Sequence, residues 1–205
     1  MDIEHKGDVF LKLNSYAVLP DDDGVRYKEI IKRELLHCPE LLYALNDDEL
    51  ASELFNEDGT LNEEGDWDLY FNDNIRPYMF FPESQTKAKN FLCYKIEFDE
   101  IPRYNKFEKI GHVTFVILCD VKNIIHFETG IARHDLIASI IRERFNWSNI
   151  FGTQCRLVSN KETITDANYV TRTLIFELTV PNSVVNTDNG TTRVINNVVR
   201  TGIRG

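Results

Sequence analysis

The chain has 205 residues, of which 42% are hydrophobic and 27% charged, with a net charge of −10; this is a globular composition and excludes a chain that is disordered throughout. The length suits one domain with decoration, no apolar run approaches the roughly 20 residues of a membrane span, and the N-terminus carries acid where a secretory signal carries base, so the protein is expected in the cytoplasm when made. Residues 1–100 hold 24 acidic and 10 basic side chains, a net of −14, against 9 and 13, a net of +4, in residues 101–205, and without a basic cluster a grip on nucleic acid through its phosphates is not expected.

In chain order, the first segment reads as an arm followed by a helix. Pro20 and the run Asp21, Asp22, Asp23 supply a helix start with negative charge where the helix dipole favours it. From Val25, the residues Tyr27, Ile30, Ile31, Leu35 and Leu36 fall on one stripe, with Lys28, Glu29, Lys32 and Arg33 opposite. Pro39 interrupts this helix, residues 39–46 suit a short second one, and Asn46 or Asp47 is placed to cap a further turn or two. Residues 56–74 are acidic, glycine-containing and aperiodic, which predicts a long surface loop. The short apolar run after it contains Pro77 and Pro82 and suits an edge strand.

The most regular stretch is 91–180. Leu92, Tyr94, Ile96 and Phe98 alternate with Phe91, Cys93, Lys95 and Glu97; Val113, Phe115, Ile117 and Cys119 alternate with His112, Thr114 and Val116. These are the two arms of a long antiparallel hairpin, turning in residues 101–106. Residues 133–145 carry Leu136, Ile137, Ile140, Ile141 and Phe145 at helical spacing, with Arg133, Asp135, Arg142 and Glu143 expected to point away; the stripe must cover a sheet face. Strands follow at 153–159 and 169–180, the second with Leu174, Phe176, Leu178 and Val180 inward, and a polar connection between them. Residues 182–205, rich in Asn and Thr and weakly basic, read as an extended arm that orders against a partner.

Chemistry-bearing motifs are scarce. Cys38, Cys93, Cys119 and Cys155 contain no paired spacing and are expected as free buried thiols. An EF-hand register on Gly59 puts Leu54 at the first ligand position and Gly65 at the last, where carboxylates are required. His126, Glu128, His134 and Asp135 cluster in sequence without the paired histidine spacing of a helical zinc site; the preferred reading is a polar connection with Asp135 at a helix N-terminus. Nucleophile elbow, phosphate loop and dinucleotide fingerprint are missing. The aromatic groups at 66–71 and 77–81 have Arg76 as their one basic companion, which favours core or protein-facing roles over base stacking. Arg142, Arg144 and Trp147 end the 133–145 helix as interface anchors, or Trp147 closes the core. No catalytic, cofactor-binding or metal residue is assigned.

The expected fold is therefore α+β: an antiparallel sheet with a long hairpin, one amphipathic helix packed across it, an N-terminal helical segment and an extended C-terminal arm. The segments "IRPYMFF", "FLCYKIEFDEI", "IGHVTFVILCD", "RHDLIASIIRERF", "TQCRLVS" and "YVTRTLIFELTV" together resemble the tail terminator and neck proteins of long-tailed bacteriophages, whose small α+β domain is related to the tail-tube fold. The resemblance covers about residues 75–181, leaving an N-terminal arm, helices and acidic loop at 1–74 and the arm at 182–205. It implies a structural virion protein: a ring, commonly a hexamer, that terminates the tail tube and joins it to the head connector or neck proteins, with the tail sheath a further possible neighbour and DNA passing through the lumen without specific binding. A ring needs heterologous interfaces that close. The alternatives are a tail-tube or connector subunit of similar fold and a small metal-dependent enzyme such as a nuclease, using Glu128, His134 and Asp135.

Overall fold

The computed structural model describes residues 5–16, 23–80, 82, 88–99, 108–164 and 168–181. The hairpin turn and the C-terminal arm expected from the sequence lie outside the described residues. The helices are α1 (Lys6–Ser15), α2 (Asp23–Leu36), α3 (Pro39–Leu45), α4 (Ala51–Leu54) and α5 (Arg133–Phe145); the strands are β1 (Ile75–Arg76), β2 (Phe91–Phe98), β3 (Glu108–Asp120), β4 (Cys155–Ile164) and β5 (Tyr169–Pro181). None of these helices is long and apolar enough to cross a membrane. The fold is α+β.

The strands form one sheet in the order β1-β2-β3-β5-β4. The long hairpin is β2 against β3, in register from Phe91 opposite Leu118 to Phe98 opposite Gly111. The sheet is mixed rather than wholly antiparallel, because β1 lies parallel to β2 at the edge. That edge strand is only two residues long, since Pro77 follows at once and a proline cannot donate to the ladder. At the other edge, β4 runs on through Lys161, Glu162 and Thr163, residues whose polarity reads as a connection. The length of β5 extends the ladder, pairing with these residues as far as Ile164 opposite Val170, and an edge strand tolerates polar side chains on both faces.

One face of the sheet carries the core. Leu92, Tyr94, Val113, Phe115, Ile117, Leu174, Phe176 and Leu178 are buried in a single cluster with Tyr27, Ile31 and Leu35 of α2, Leu41, Leu42 and Leu45 of α3, and Ile137, Ile141 and Phe145 of α5. Three helices share a face for which the sequence suggests one. Strands about 4.8 Å apart make a five-stranded sheet roughly 19 Å wide, and a single helix with its side chains covers about 10–12 Å, so α5 alone would leave β2 bare; α2 covers it. The N-terminal helix α2 thus packs on this sheet, and α3 packs against α2 and α5. Proline at the first turn starts α3, and Asn46 ends it in the left-handed region at φ 53°. Neither Asn46 nor Asp47 caps α4, whose N-cap position is Leu50; Asp47 accepts from the Glu49 amide instead, the short turn that an Asp side chain forms before a helix can start.

The acidic stretch after α4 is a loop, but a tied one. Trp67 donates its indole N–H to the carbonyls of Glu53 and Asn62, Tyr70 is buried, and Gly65 lies so close to Glu53 that an added Cβ would sit 1.9 Å from its carbonyl oxygen. Trp67 and Tyr70 therefore serve the core, as Phe80 does on the outer face, packing on Phe91 at 5.2 Å between ring centroids with the Arg76 guanidinium 3.8 Å over its ring. The loop rejoins the sheet through buried amides. Asn90 donates to the Leu45 carbonyl at 2.8 Å and accepts from the Asp120 amide at 3.2 Å, while Asn74 donates to the Asn90 carbonyl. One side chain thereby links the end of α3 to the end of β3.

Candidate functional site

The residues singled out by the sequence separate into two places. His126 and Glu128 belong to a tight turn of chain between the Ile125–Ala132 bridge partners: the His126 amide donates to the Ile131 carbonyl, its Nδ1 lies 3.1 Å from the Thr129 hydroxyl, and Gly130 closes the turn at φ 67°. Glu128 is held on the α3 side by a hydrogen bond with Tyr43, which raises the Tyr43 phenol above its usual range. It does not join His134 and Asp135, so the trio expected for a metal-dependent enzyme is not assembled.

His134 and Asp135 meet Glu162 instead. One ligand atom from each lies within 4.8 Å of the others, with His134 Nε2 3.6 Å from Asp135 Oδ1 and 3.4 Å from Glu162 Oε2. His134 is 5% exposed and neither ring nitrogen makes a hydrogen bond. The same two carboxylate oxygens, however, face Arg172, whose Nη1 is 2.7 Å from Asp135 Oδ1 and 3.4 Å from Glu162 Oε2, and Nε donates to Asn160. A divalent ion would compete with this guanidinium for its ligands, and Nδ1 lacks the outer partner that orients a metal-ligating imidazole. The arrangement is chemically a charge clamp tying α5 to β4 and β5. Glu162 and Arg172 were missed by sequence reasoning, although Arg172 carries a readable signal: it falls in the inward series with Leu174 and Phe176, a charge where the pattern demands an apolar residue.

Arg133 is another correction. It is not turned outward but 2% exposed, because α3 ends beside the start of α5 and offers unpaired carbonyls. Arg133 donates to the Ala44 carbonyl at 2.7 Å and to the carbonyl and side chain of Asn123. Burial pulls its pKa down, against the opposing effect of nearby acidic groups. The four cysteines are free and buried as expected, and burial pushes Cys38, Cys119 and Cys155 up to about 12 and Cys93 to about 11; such thiols are poor nucleophiles and poor ligands.

The surface is richer in apolar features than the interior is in chemistry. Trp147 does not close the core: it is 59% exposed and held at φ 62°, a strained backbone for a bulky residue, with its amide donating to the Cys155 carbonyl. Arg144 is used within the chain, bridging Glu34 and Glu40 between α5 and the first two core helices. Phe127, at the tip of the turn, is 96% exposed. Helix α1 has no buried residue at all.

A family model described as YomW matches residues 39–178. The chain belongs to the YomW family. The name is phage-derived, from a prophage region of Bacillus, so the family is a phage-associated one. No curated protein matches the chain. The YomW span opens at the first residue of α3 and closes within β5, so the family's shared body comprises α3, the tied acidic loop, most of the sheet, the Phe127 turn and α5, while α1 and α2 precede it.

Proposed function

We propose that this YomW protein is a structural component of the virion, a ring-forming subunit that terminates the tail tube and joins it to the head connector or neck. The observation that carries the reading is the coincidence of the phage-associated match at 39–178 with the α+β body whose segments resemble tail terminators. The surface agrees with it: apolar side chains stand out on α1, on the 124–133 turn and at Trp147, the kind of feature that marks protein contacts. In this reading the partners are other copies of the chain, the tube protein and the connector or neck proteins, the protein works in the virion without catalysing a reaction, and acidic surface in the 1–100 half lets DNA pass without arrest. Adding the purified protein to polymerising tail-tube subunits tests it: rings at one tube end in negative-stain images, with elongation stopped, are the expected result. Tubes that grow past it unaltered and carry no density at either end would overturn the proposal.

A further inference from the structure

α1 and the 124–133 turn are two unpartnered apolar surfaces of different shape on one chain. Along α1 and its C-cap residue Tyr16, Val9, Leu13 and Tyr16 follow at i, i+4 and i+7, and Phe10 lies three before Leu13, so the four line one side, with exposures from 40% to 57%. Cations edge this stripe: Lys6 lies 5.7 Å from the Phe10 ring centroid and Lys12 5.7 Å from that of Tyr16. The turn presents Ile125 at 55%, Phe127 at 96% and Ile131 at 46%, with Tyr43 of α3 beside His126 at 39%. Its rim carries a carboxylate: Glu128 is exposed and bonds Tyr43. The turn is also braced by its own hydrogen bonds, so its apolar tip is presented without the entropy cost of ordering a loop.

We infer that α1 of one copy docks on the 124–133 turn of a neighbouring copy, its Lys6 and Lys12 facing Glu128. This rests on the reading of the protein as a ring subunit and supplies the contact that such a ring needs. A helix that fits a turn on the next molecule is a heterologous interface, the type that propagates head to tail until it closes. The occupant follows from the two surfaces together: the apolar stripe with Lys6 and Lys12 beside it finds an apolar turn that carries Glu128, and no residue of α1 is buried against its own chain.

The test uses two full-length variants, Phe10→Glu with Leu13→Glu in one and Phe127→Glu in the other, and sizing by light scattering over a concentration series. Each variant alone is expected to remain monomeric where the wild type associates, with the apparent dissociation constant raised at least about thirtyfold, the scale of losing a central apolar anchor. Mixed together they should form a one-to-one dimer and nothing larger, since the α1 variant keeps an intact turn and the Phe127 variant keeps an intact α1. Circular dichroism of each variant confirms that the loss is not unfolding. Wild-type-like association by both variants would overturn the docking and leave the ring reading standing; a mixture that stays monomeric, or a wild type that never self-associates, would overturn the docking directly. Tube-capping by a wild type that fails this sizing test would separate the two readings in the other direction.

Discussion

Helices α1 and α5 are similar in length and both rich in apolar residues, yet their fates are opposite. α5 sets Ile137, Ala138, Ile141 and Phe145 into the core, where Phe145 meets Phe115 at 4.8 Å and Phe176 at 6.1 Å between ring centroids. α1 leaves Val9, Phe10, Leu11 and Leu13 in solvent. Apolar content does not decide burial; a helix needs a face to lie on, and α2 and α5 occupy the inner face of the sheet, with α3 packed on both. The difference separates side chains that hold the monomer from side chains left over for other molecules.

The sharpest way to break this contrast is alkaline pH, because the α5 side of the molecule is dry enough to suppress ionisation at Cys38, Cys119 and Cys155, and the smaller apolar cluster on the outer face does the same at Cys93. Each has a folded-state pKa raised above 9.0, so the neutral thiol is favoured in the folded chain and the thiolate in the unfolded one. The stabilisation is fully present below about pH 9 and is lost as pH rises towards 11 and 12. Urea midpoints should hold near neutrality and fall steeply above pH 9, and a thiol reagent at pH 8 should modify no cysteine until the chain unfolds. Rapid modification of the native protein would contradict a dry interior.

Next in size is Phe145→Ala. It removes the ring at the centre of the α5 contact and should cost about 3–5 kcal/mol, measured by chemical denaturation. Asn90→Ala follows, at about 1–3 kcal/mol for the orphaned Leu45 carbonyl and Asp120 amide. Its effect tests whether the junction of α3 with β3 is held by that single amide; a loss below about 0.5 kcal/mol would show that water replaces it.

The sequence makes α5 and the β2–β3 hairpin legible because their side chains obey one period over most of their length, the first turn of α5 excepted. The charge clamp is hidden for the opposite reason. Glu162 looks like part of a polar connection until its pairing with Arg172 across β4 and β5 is known, and that register depends on a bulge at residue 158 that no local pattern announces. Arg133 was hidden likewise, its burial depending on where α3 ends 89 residues earlier in the chain. Helix α1 was unreadable because Gly7 interrupts the pattern and Leu11, on the far side from Leu13, widens its stripe.

The smallest expected effect is the one that sharpens the comparison most. Phe10→Ala in α1 removes as large a ring as Phe145→Ala, but from a position already 55% exposed and in contact with Lys6. Monomer stability should change by no more than about 1 kcal/mol, the scale of a surface substitution away from any packed feature together with an exposed cation–aromatic contact. The same substitution, read by light scattering, should weaken association, because the area that α1 withholds from its own core is the area available to a neighbour. A loss near that of Phe145→Ala would place α1 among the elements that hold the monomer and end the distinction between the two helices.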